Sequence, residues 1–466
     1  MSNVSATTVT ASELQCNPAS DRPNAPSESA FVYEQKTRLI RRLILLYIAL
    51  WLLEGGLRRW FLPGLASPLL LIRDPLVVVI YYLAFSFGLF PMNGFTIWGV
   101  LLALLSFINA MLLGHGNLLV ALYGVRCDFL HVPLIFVMAG VLRQNDVIAL
   151  AKIAVWVSIP YTALLVTQFY EPQAAWVNRG VGGDTDGAGF SGALDHYRPP
   201  GTFSFITGPS ELYPLLTACW FALLLMRKLS VGIMIASGAA ILLAIPVSIS
   251  RTLFLSVAIV AIAGVGAMFV GGRFSVKLVT QFVLVAVLLT FLAGLSPIFQ
   301  DGMETFNARW ETATTDGGGF QVAIVDRVMN DLAGAFRATD DSVGGTGFST
   351  NVGQKLLTQN VGFGGAEGEW GRLLYDNGLI LGSLLVGYRI ALAGSIIFAS
   401  IRAWRRRSVY GLIFAAAAFM LLLNGQWGQA STLGAAVIAG GLALASSYQG
   451  AGHSKKCADT LSANSR

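Results

Sequence analysis

The sequence predicts an all-α polytopic membrane protein, and three observations carry this prediction. Of the 466 residues, 55% are apolar and only 12% are charged, whereas about a quarter of the residues in a soluble domain are charged. Apolar runs of about 17–25 residues, the length that crosses a bilayer, recur along the chain. These runs are uniformly apolar rather than alternating, which excludes a transmembrane β-barrel.

The apolar runs predict about 12 transmembrane helices, at residues 39–54, 69–90, 95–113, 118–142, 147–170, 209–226, 231–249, 253–271, 275–297, 372–401, 409–423 and 430–448. The predicted organisation is a disordered cytoplasmic tail (1–35), helices 1–9 (36–297) with an outer loop (171–208), a large periplasmic loop carrying short helices (298–371), helices 10–12 (372–448) and a second cytoplasmic tail (449–466). Within the large loop, Gly319 to Arg337 has helical periodicity.

The positions of the basic residues predict which side of the membrane each loop faces. Lysines and arginines of the loops cluster on one side, most densely at Arg402 to Arg407, and the positive-inside rule makes that side cytoplasmic. Both termini are then cytoplasmic, and the two longest loops lie outside. The 4 cysteines have no metal-binding spacing, and no His, Cys and carboxylate cluster is apparent, so we expect neither disulfides nor a metal or other cofactor.

The outer face is predicted to carry arginine almost without lysine. Basic residues that only set the membrane topology could be lysine or arginine. The guanidinium of arginine, however, binds phosphate in a bidentate way that the lysine ammonium cannot match. The set therefore predicts a phosphate-bearing lipid substrate; the alternative is that individual arginines pair with loop carboxylates or lipid headgroups. The outer set is Arg58, Arg59, Arg73, Arg126, Arg179, Arg198, Arg251, Arg309, Arg327, Arg337 and Arg372, against the single Lys355.

Two short motifs place an arginine at the mouth of the predicted bundle. Arg198 precedes two prolines that stiffen the chain and Gly201, which permits close backbone approach. Arg251 lies in the tight connection Ser248 to Thr252 between two apolar runs. Both arginines are anion-binding candidates; the alternatives are a structured entry loop for Arg198 and an arginine that satisfies helix-end carbonyls for Arg251.

A third motif, Glu367 to Arg372, lies where the large loop re-enters an apolar run. A carboxylate at such a point has a raised pKa, which suits a general base that accepts a hydroxyl proton. Glu367 is the preferred base. The alternative is that Glu367 or Glu369 simply pairs with Arg372, since Glu369 has helical spacing to it.

At these residues the chain resembles the O-antigen ligase and polymerase superfamily of bacterial inner-membrane proteins. An Arg198 and Gly201-Thr202-Phe203 motif comes first, then Ser250-Arg251-Thr252, then a long loop closed by the stretch from Ala366 to Gly382. Glu54 to Trp60 and Arg73-Asp74-Pro75 resemble exopolysaccharide polymerases of this group. The motifs are short and degenerate, so their order carries the resemblance.

The resemblance implies a GT-C-like fold and a metal-independent glycosyltransferase acting at the outer face. It would transfer glycan from an undecaprenyl-diphosphate carrier to an acceptor sugar. Arg198 and Arg251 would bind the diphosphate and stabilise the leaving group, and Glu367 would accept the hydroxyl proton. Further substrate-binding candidates are Arg58, Arg59, Arg73, Arg126, Tyr197, Thr202, Glu211, Ser250, Thr252, Glu369 and Arg372.

One departure from the family pattern separates two activities. Ligases of the superfamily typically carry His followed by Asn at the end of the loop, whereas this chain has Glu367-Gly368, and residues 298–371 contain no His. This favours a polymerase of repeat units over a ligase that passes finished glycan to another lipid or to protein. Intramembrane Arg126, Asp128 and Arg389 keep a flippase or transporter as the alternative of another class.

The expected partners follow from the polymerase prediction. They are the undecaprenyl-diphosphate-linked oligosaccharide and membrane lipids, with a chain-length regulator or an export complex as candidate protein partners. No nucleic acid partner is expected.

Overall fold

The computed structural model describes residues 28–187, 189–270, 294–317, 345–347, 368–405 and 408–463, together with the single residues 280, 287 and 291. The described residues up to Leu39 and those from Ile40 onward fall into two compact units. Within the described residues the chain is almost entirely helical, with one antiparallel hairpin. The predicted helix from Gly319 to Arg337 and the predicted base Glu367 lie outside the described residues.

The helices are α1 (Glu28–Gly56), α2 (Ala66–Leu70), α3 (Arg73–Ser86), α4 (Gly94–Leu112), α5 (Leu118–Val125), α6 (Val132–Val141), α7 (Gln144–Tyr170), α8 (Thr207–Met226), α9 (Val231–Val247), α10 (Arg251–Val270), α11 (Pro297–Gly317), α12 (Glu369–Arg405), α13 (Tyr410–Asn424) and α14 (Ala430–Ala463). The strands are β1 (Phe190–Ala193) and β2 (His196–Arg198). Two π-helical turns (Leu57–Phe61 and Arg126–Leu130) and two 3₁₀ turns (Pro63–Leu65 and Trp176–Asn178) complete the described elements.

Eight helical stretches in the described part of the chain are long and apolar enough to cross a membrane: Pro63–Ser86, Gly94–Leu112, Leu118–Val141, Gln144–Tyr170, Thr207–Met226, Arg251–Phe269, Glu369–Arg405 and Ala430–Tyr448. The protein is therefore a polytopic all-α membrane protein, as predicted. The count of twelve is not reached. Helices α9 and α13 are apolar but shorter, the expected first span is part of α1, and most of the expected ninth span lies outside the described residues.

Burial separates the centre of the bundle from its periphery. In the most apolar 18-residue windows of Thr207–Met226 and Ala430–Tyr448, 83% and 89% of the residues are buried within the protein, whereas the share is only 28% in Pro63–Ser86 and in Gly94–Leu112. The central α14 is rich in Ala and Gly. These small side chains let neighbouring helices approach closely, so that van der Waals packing can hold the helices together where the hydrophobic effect of water is absent. Helices α3 and α4 instead expose large apolar side chains, such as Val78 and Leu104, as a lipid-facing surface does.

Both predicted tails contain helix that the sequence analysis did not assign. Helix α1 begins at Glu28, within the tail predicted to be disordered up to residue 35, and α14 extends to Ala463, well beyond residue 448. No Gly or Pro interrupts the chain between Glu28 and Glu54, so helical hydrogen bonding can continue beyond the apolar run.

Helix α12 is broken near its N-terminus, at Gly378. This glycine has φ of +74°, so Glu369–Asn377 forms a short helix and the membrane-spanning helix follows the break. The segment Gly345–Gly347 docks there: the Thr346 and Gly347 amides donate to the Tyr375 and Asp376 carbonyl oxygens, at 3.0 and 2.9 Å. These bonds satisfy carbonyls that the broken helix leaves exposed.

Candidate functional site

Three segments that are distant in sequence meet at one end of the bundle. They are the β1–β2 hairpin, the turn between α9 and α10, and α11. Arg309 of α11 donates from Nη1 to the carbonyl oxygen of Gly192 in β1, at 3.1 Å. The side chain of Ile249 lies against the same glycine, because a Cβ atom there would come within 2.7 Å of the Ile249 Cδ1 atom. We call Arg198, Ser250, Arg251 and Arg309 the arginine cluster.

The turn that presents Arg251 is strained and tightly held. Ile249 is fully buried and has φ of +50°, a left-handed conformation that β-branched residues rarely adopt and that costs roughly 1–2 kcal/mol. The Oγ atoms of Ser250 and Ser210 are 2.8 Å apart, and Ser250 Oγ also accepts from the Leu253 amide. Strain of this kind persists only where the surroundings enforce it, and it concentrates at functional sites.

Positive charge is concentrated at this turn. Arg251 is the first residue of α10, where the helix dipole is already positive and favours anions over cations. Arg309 is close enough that burial, followed by the charge of Arg251, lowers its pKa. Two guanidiniums near a helix N-terminus repel each other, and a bound anionic group would reduce this repulsion and be stabilised by their positive charge.

The cluster brings together several residues that were predicted separately. Arg198 is in β2, opposite Phe190 of β1, and therefore on the hairpin that Arg309 contacts. Tyr197 and Thr252 are exposed beside it in the chain. Arg309 was recognised only as one of the outer arginines, because nothing in the sequence indicates that α11 reaches Gly192.

The side chain of Arg59, in contrast, connects two loop segments through hydrogen bonds to their backbone. Its guanidinium is buried and donates to the carbonyl oxygens of Arg179 (2.6 Å), Gly201 (2.8 Å), Phe203 (3.1 Å) and Val177 (3.1 Å). Burial lowers the pKa of Arg59 to about 10, which still leaves the side chain charged at neutral pH. With its donors directed at backbone carbonyls, Arg59 is a positioning residue for segments 176–179 and 201–203, and we leave it out of the proposed substrate contacts.

We expect Arg59→Met to destabilise these two segments, because four carbonyl oxygens would lose a charged donor. The cost is about 1–3 kcal/mol for each buried group that stays unsatisfied. Faster limited proteolysis between residues 171 and 206 in detergent is the readout. Arg42→Met, at an exposed position of α1, is the matched control, and equal cleavage of the two variants would contradict the assignment.

Thr202 and Arg58 also have internal partners. Thr202 Oγ1 donates to the Leu52 carbonyl oxygen at 2.6 Å. Arg58 donates to the Ala66 carbonyl oxygen and to Ser204 Oγ, at 2.7 and 3.0 Å. Helix α1 approaches this segment so closely that a Cβ atom on Gly55 would lie 2.5 Å from the backbone of residues 202–204. To contact substrate as predicted, Thr202 and Arg58 would have to share the donor groups that already make these internal hydrogen bonds.

A buried polar chain links α1, α3 and the second π-helical turn. Glu54 accepts from Arg58 and Arg73, at 3.5 and 3.0 Å. Asp74 accepts from Arg126 at 2.8 Å and pairs with His131 at 2.9 Å. Tyr47 joins the two halves through Arg73 and His131. The predicted substrate-binding residues Arg73 and Arg126 are therefore neutralised inside the bundle, an arrangement that favours a structural role.

A second buried network is centred on Glu369. Arg372 donates to both carboxylate oxygens of Glu369, at 3.0 and 2.9 Å, and also to Asp128 and Asp376, at 2.9 and 3.1 Å. Arg389 reaches Glu369 from the opposite side, and its guanidinium stacks on the Trp427 ring at 3.9 Å. Glu369 and Arg372 were predicted to bind substrate, but their groups are occupied within the protein. This geometry favours the pairing alternative for Glu369.

Asp128, Arg389 and Trp427 were not among the predicted site residues. Asp128 and Arg389 could be recognised only as ionisable groups within apolar runs. Asp128 contacts Arg372, whereas Arg389 contacts Glu369, and both contacts depend on tertiary packing.

Glu211 lies at the junction of α8 and α14. It is 5% exposed, and its Oε1 atom accepts from the Thr432 hydroxyl. Pro209 lies in the first turn of α8, as predicted. The Glu211 carboxylate is buried at the interface with α14 and is directed at Thr432, so we assign it no substrate contact.

The described residues contain no group of three or more His, Cys, Asp or Glu side chains that could hold a metal ion. No protein-family model, curated protein or solved structure matches the chain.

Proposed function

We propose that this protein is a polysaccharide polymerase of the bacterial inner membrane, with its active site facing the periplasm. It would transfer O-antigen or exopolysaccharide repeat units from an undecaprenyl-diphosphate carrier to an acceptor glycan. The single observation that supports this proposal most is the arginine cluster, where Arg251 at the N-terminus of α10 and Arg309 lie beside the hairpin that carries Arg198.

The cluster matches the demands of the proposed reaction. An acceptor hydroxyl attacks the anomeric carbon, the bond from that carbon to the diphosphate oxygen breaks, and negative charge develops on the departing diphosphate. Fixed guanidiniums stabilise such charge, and their bidentate geometry fits phosphate oxygens. The hydroxyl proton would pass to Glu367, our preferred base, since both oxygens of Glu369 already accept hydrogen bonds from arginine.

The twelve-helix, GT-C-like architecture is part of the same proposal. Helices α9 and α13 are apolar but shorter than the other candidate spans, and α1 carries the apolar run from residue 39 to 54. Together with a span in 275–297, these helices would complete the predicted topology and return both termini to the cytoplasm.

The proposal is tested by sizing lipid-linked and released glycan in host cells carrying the protein, a null allele or Glu367→Gln. We expect loss of long chains and accumulation of single lipid-linked repeats in both mutant strains, with Glu367→Gln expressed at the normal level. Glu304→Gln, at an exposed position of α11, is the matched control. Long chains that stay on the carrier would instead indicate a ligase, and unit-length glycan trapped inside would indicate a flippase.

A further inference from the structure

A cavity of about 350 Å³ opens beside the arginine cluster, between the end of α7 and the tip of the hairpin. It is lined by Phe169, Tyr170 and Glu171 on one side and by Asp195, His196 and Tyr197 on the other. Its volume is at the lower end of the range for small-molecule sites. Nothing in the proposed polymerase chemistry above uses this cavity.

The wall of the cavity is built from aromatic rings held in place. His196 stacks on Phe169 with ring centroids 4.0 Å apart and an interplanar angle of 10°, and its Nδ1 atom is 3.1 Å from the Phe169 carbonyl oxygen. The Tyr170 hydroxyl donates to Asp301 of α11 at 2.7 Å. Aromatic side chains fixed in this way provide a preformed apolar surface at little entropic cost.

The polar groups of the cavity indicate the class of ligand. Glu171 and Asp195 are exposed carboxylates, which accept hydrogen bonds and cannot donate them when ionised. None of the described residues that line the cavity is lysine or arginine, so this lining is unsuited to a diphosphate. Aromatic faces combined with acceptor carboxylates fit an uncharged ligand that is rich in hydroxyl groups, which is the chemistry of a sugar.

The hairpin turn at the rim is strained. Leu194 and Asp195 form the two-residue connection between the strands, with φ of +48° and +58°. A turn with two positive φ angles strongly prefers Asn-Gly or Gly-Gly, and leucine in this conformation costs roughly 1–2 kcal/mol. Leu194 is 54% exposed, so burial does not offset this cost. The strained turn holds its side chains at the mouth of the cavity.

We propose that this cavity is a saccharide subsite that holds a sugar unit of the acceptor glycan. The proposal deepens the proposed polymerase function and rests on it. The hairpin connects the two sites, since Arg309 contacts Gly192 and the cavity begins at Leu194, about 7 Å further along an extended chain. The acceptor sugar would bind at the tip of the hairpin, and the donor diphosphate would bind beside its first strand.

The residues of this turn can be replaced without destabilising the hairpin, so the role of the cavity can be tested in folded protein. Leu194→Asn combined with Asp195→Gly introduces the preferred turn sequence, so the hairpin should be at least as stable, while the Asp195 carboxylate is removed and the apolar Leu194 side chain is replaced. Tyr197→Ala removes an exposed ring from the wall. Asp186→Asn, an exposed aspartate of the same loop outside the cavity, is the control for a change of charge.

Binding is measured by saturation-transfer NMR on the full-length protein in detergent. The probe is the oligosaccharide released by mild acid from the lipid-linked repeats of the host, so it carries no phosphate. We expect saturation of the sugar protons with the wild type and Asp186→Asn, and at least a 10-fold weaker affinity with the double variant and with Tyr197→Ala. Equal binding by all four proteins, or no binding by the wild type, would overturn the proposal.

A second readout separates this inference from the proposed function. If the protein polymerises glycan, the double variant should shorten the chains while lipid-linked repeats are still consumed, whereas Arg251→Lys should leave those repeats intact. If the protein does not polymerise glycan, chain length will not depend on either change, and the NMR result alone decides whether the cavity binds sugar.

Discussion

Replacing Glu369 with leucine is expected to lower the melting temperature of the detergent-solubilised protein by several degrees. Arg372 and Arg389 would be left buried without the carboxylate that both of them contact, and breaking a buried ion pair in this way costs about 3–5 kcal/mol. At roughly 2 °C per kcal/mol for a large chain, this corresponds to a decrease of about 6–10 °C.

Two companion variants make this prediction specific. Glu304→Leu carries the same substitution at an exposed position of α11 and should change the melting temperature by less than about 1 °C, because surface changes away from special features are nearly neutral. Glu369→Gln keeps the shape and one acceptor, so its effect should be intermediate. A melting temperature for Glu369→Leu equal to that of Glu304→Leu would contradict the network's structural role.

Arg251→Lys is expected to slow the transfer of repeat units strongly at unchanged stability. Lysine keeps the positive charge but loses the planar, bidentate geometry that matches phosphate oxygens. Charged hydrogen bonds contribute about 1.5–3 kcal/mol, so transfer of repeat units should slow by roughly 10- to 100-fold. The measurement is the rate of chain extension in membranes supplied with purified lipid-linked repeat units.

The control for this variant is Arg42→Lys, the same substitution at an exposed position of α1. It should extend chains at the wild-type rate. Arg309→Lys should resemble Arg251→Lys if the two guanidiniums act on one anion. Full activity of Arg251→Lys would remove Arg251 from the site and, with it, the main support for the proposed function.

Much of the fold could be predicted from the sequence because span length and uniform hydrophobicity are local properties. The predicted runs at 95–113 and 209–226 correspond closely to α4 and α8. The helical extensions at Glu28 and Ala463 were missed because helical hydrogen bonding continues after the apolar signal ends. The break at Gly378 was missed as well, because a glycine within an apolar run has no local signature of positive φ.

The candidate site was less predictable. Motif order identified Arg198 and Arg251, and the structure brings their segments together through Gly192. Sequence spacing could not distinguish an arginine beside an open cavity from one that is neutralised within the bundle, as Arg73 and Arg126 are. That distinction depends on partners such as Glu54 and Asp74, whose side-chain directions are fixed only by packing.

The docking of Gly345–Gly347 at the break in α12 has an entropic consequence. It fixes the chain at a point between α11 and α12, so that residues 348–367 need to close only from Gly347 to Gly368. Once Gly345–Gly347 is docked, closing the remaining stretch of about 20 residues costs about 0.8 kcal/mol less than closing the roughly 50 between α11 and α12 in one step, while the docking itself carries the cost of closing the preceding stretch. A substitution at Gly347, whose φ is +104° and which packs on His115, would release this restraint without touching the arginine cluster.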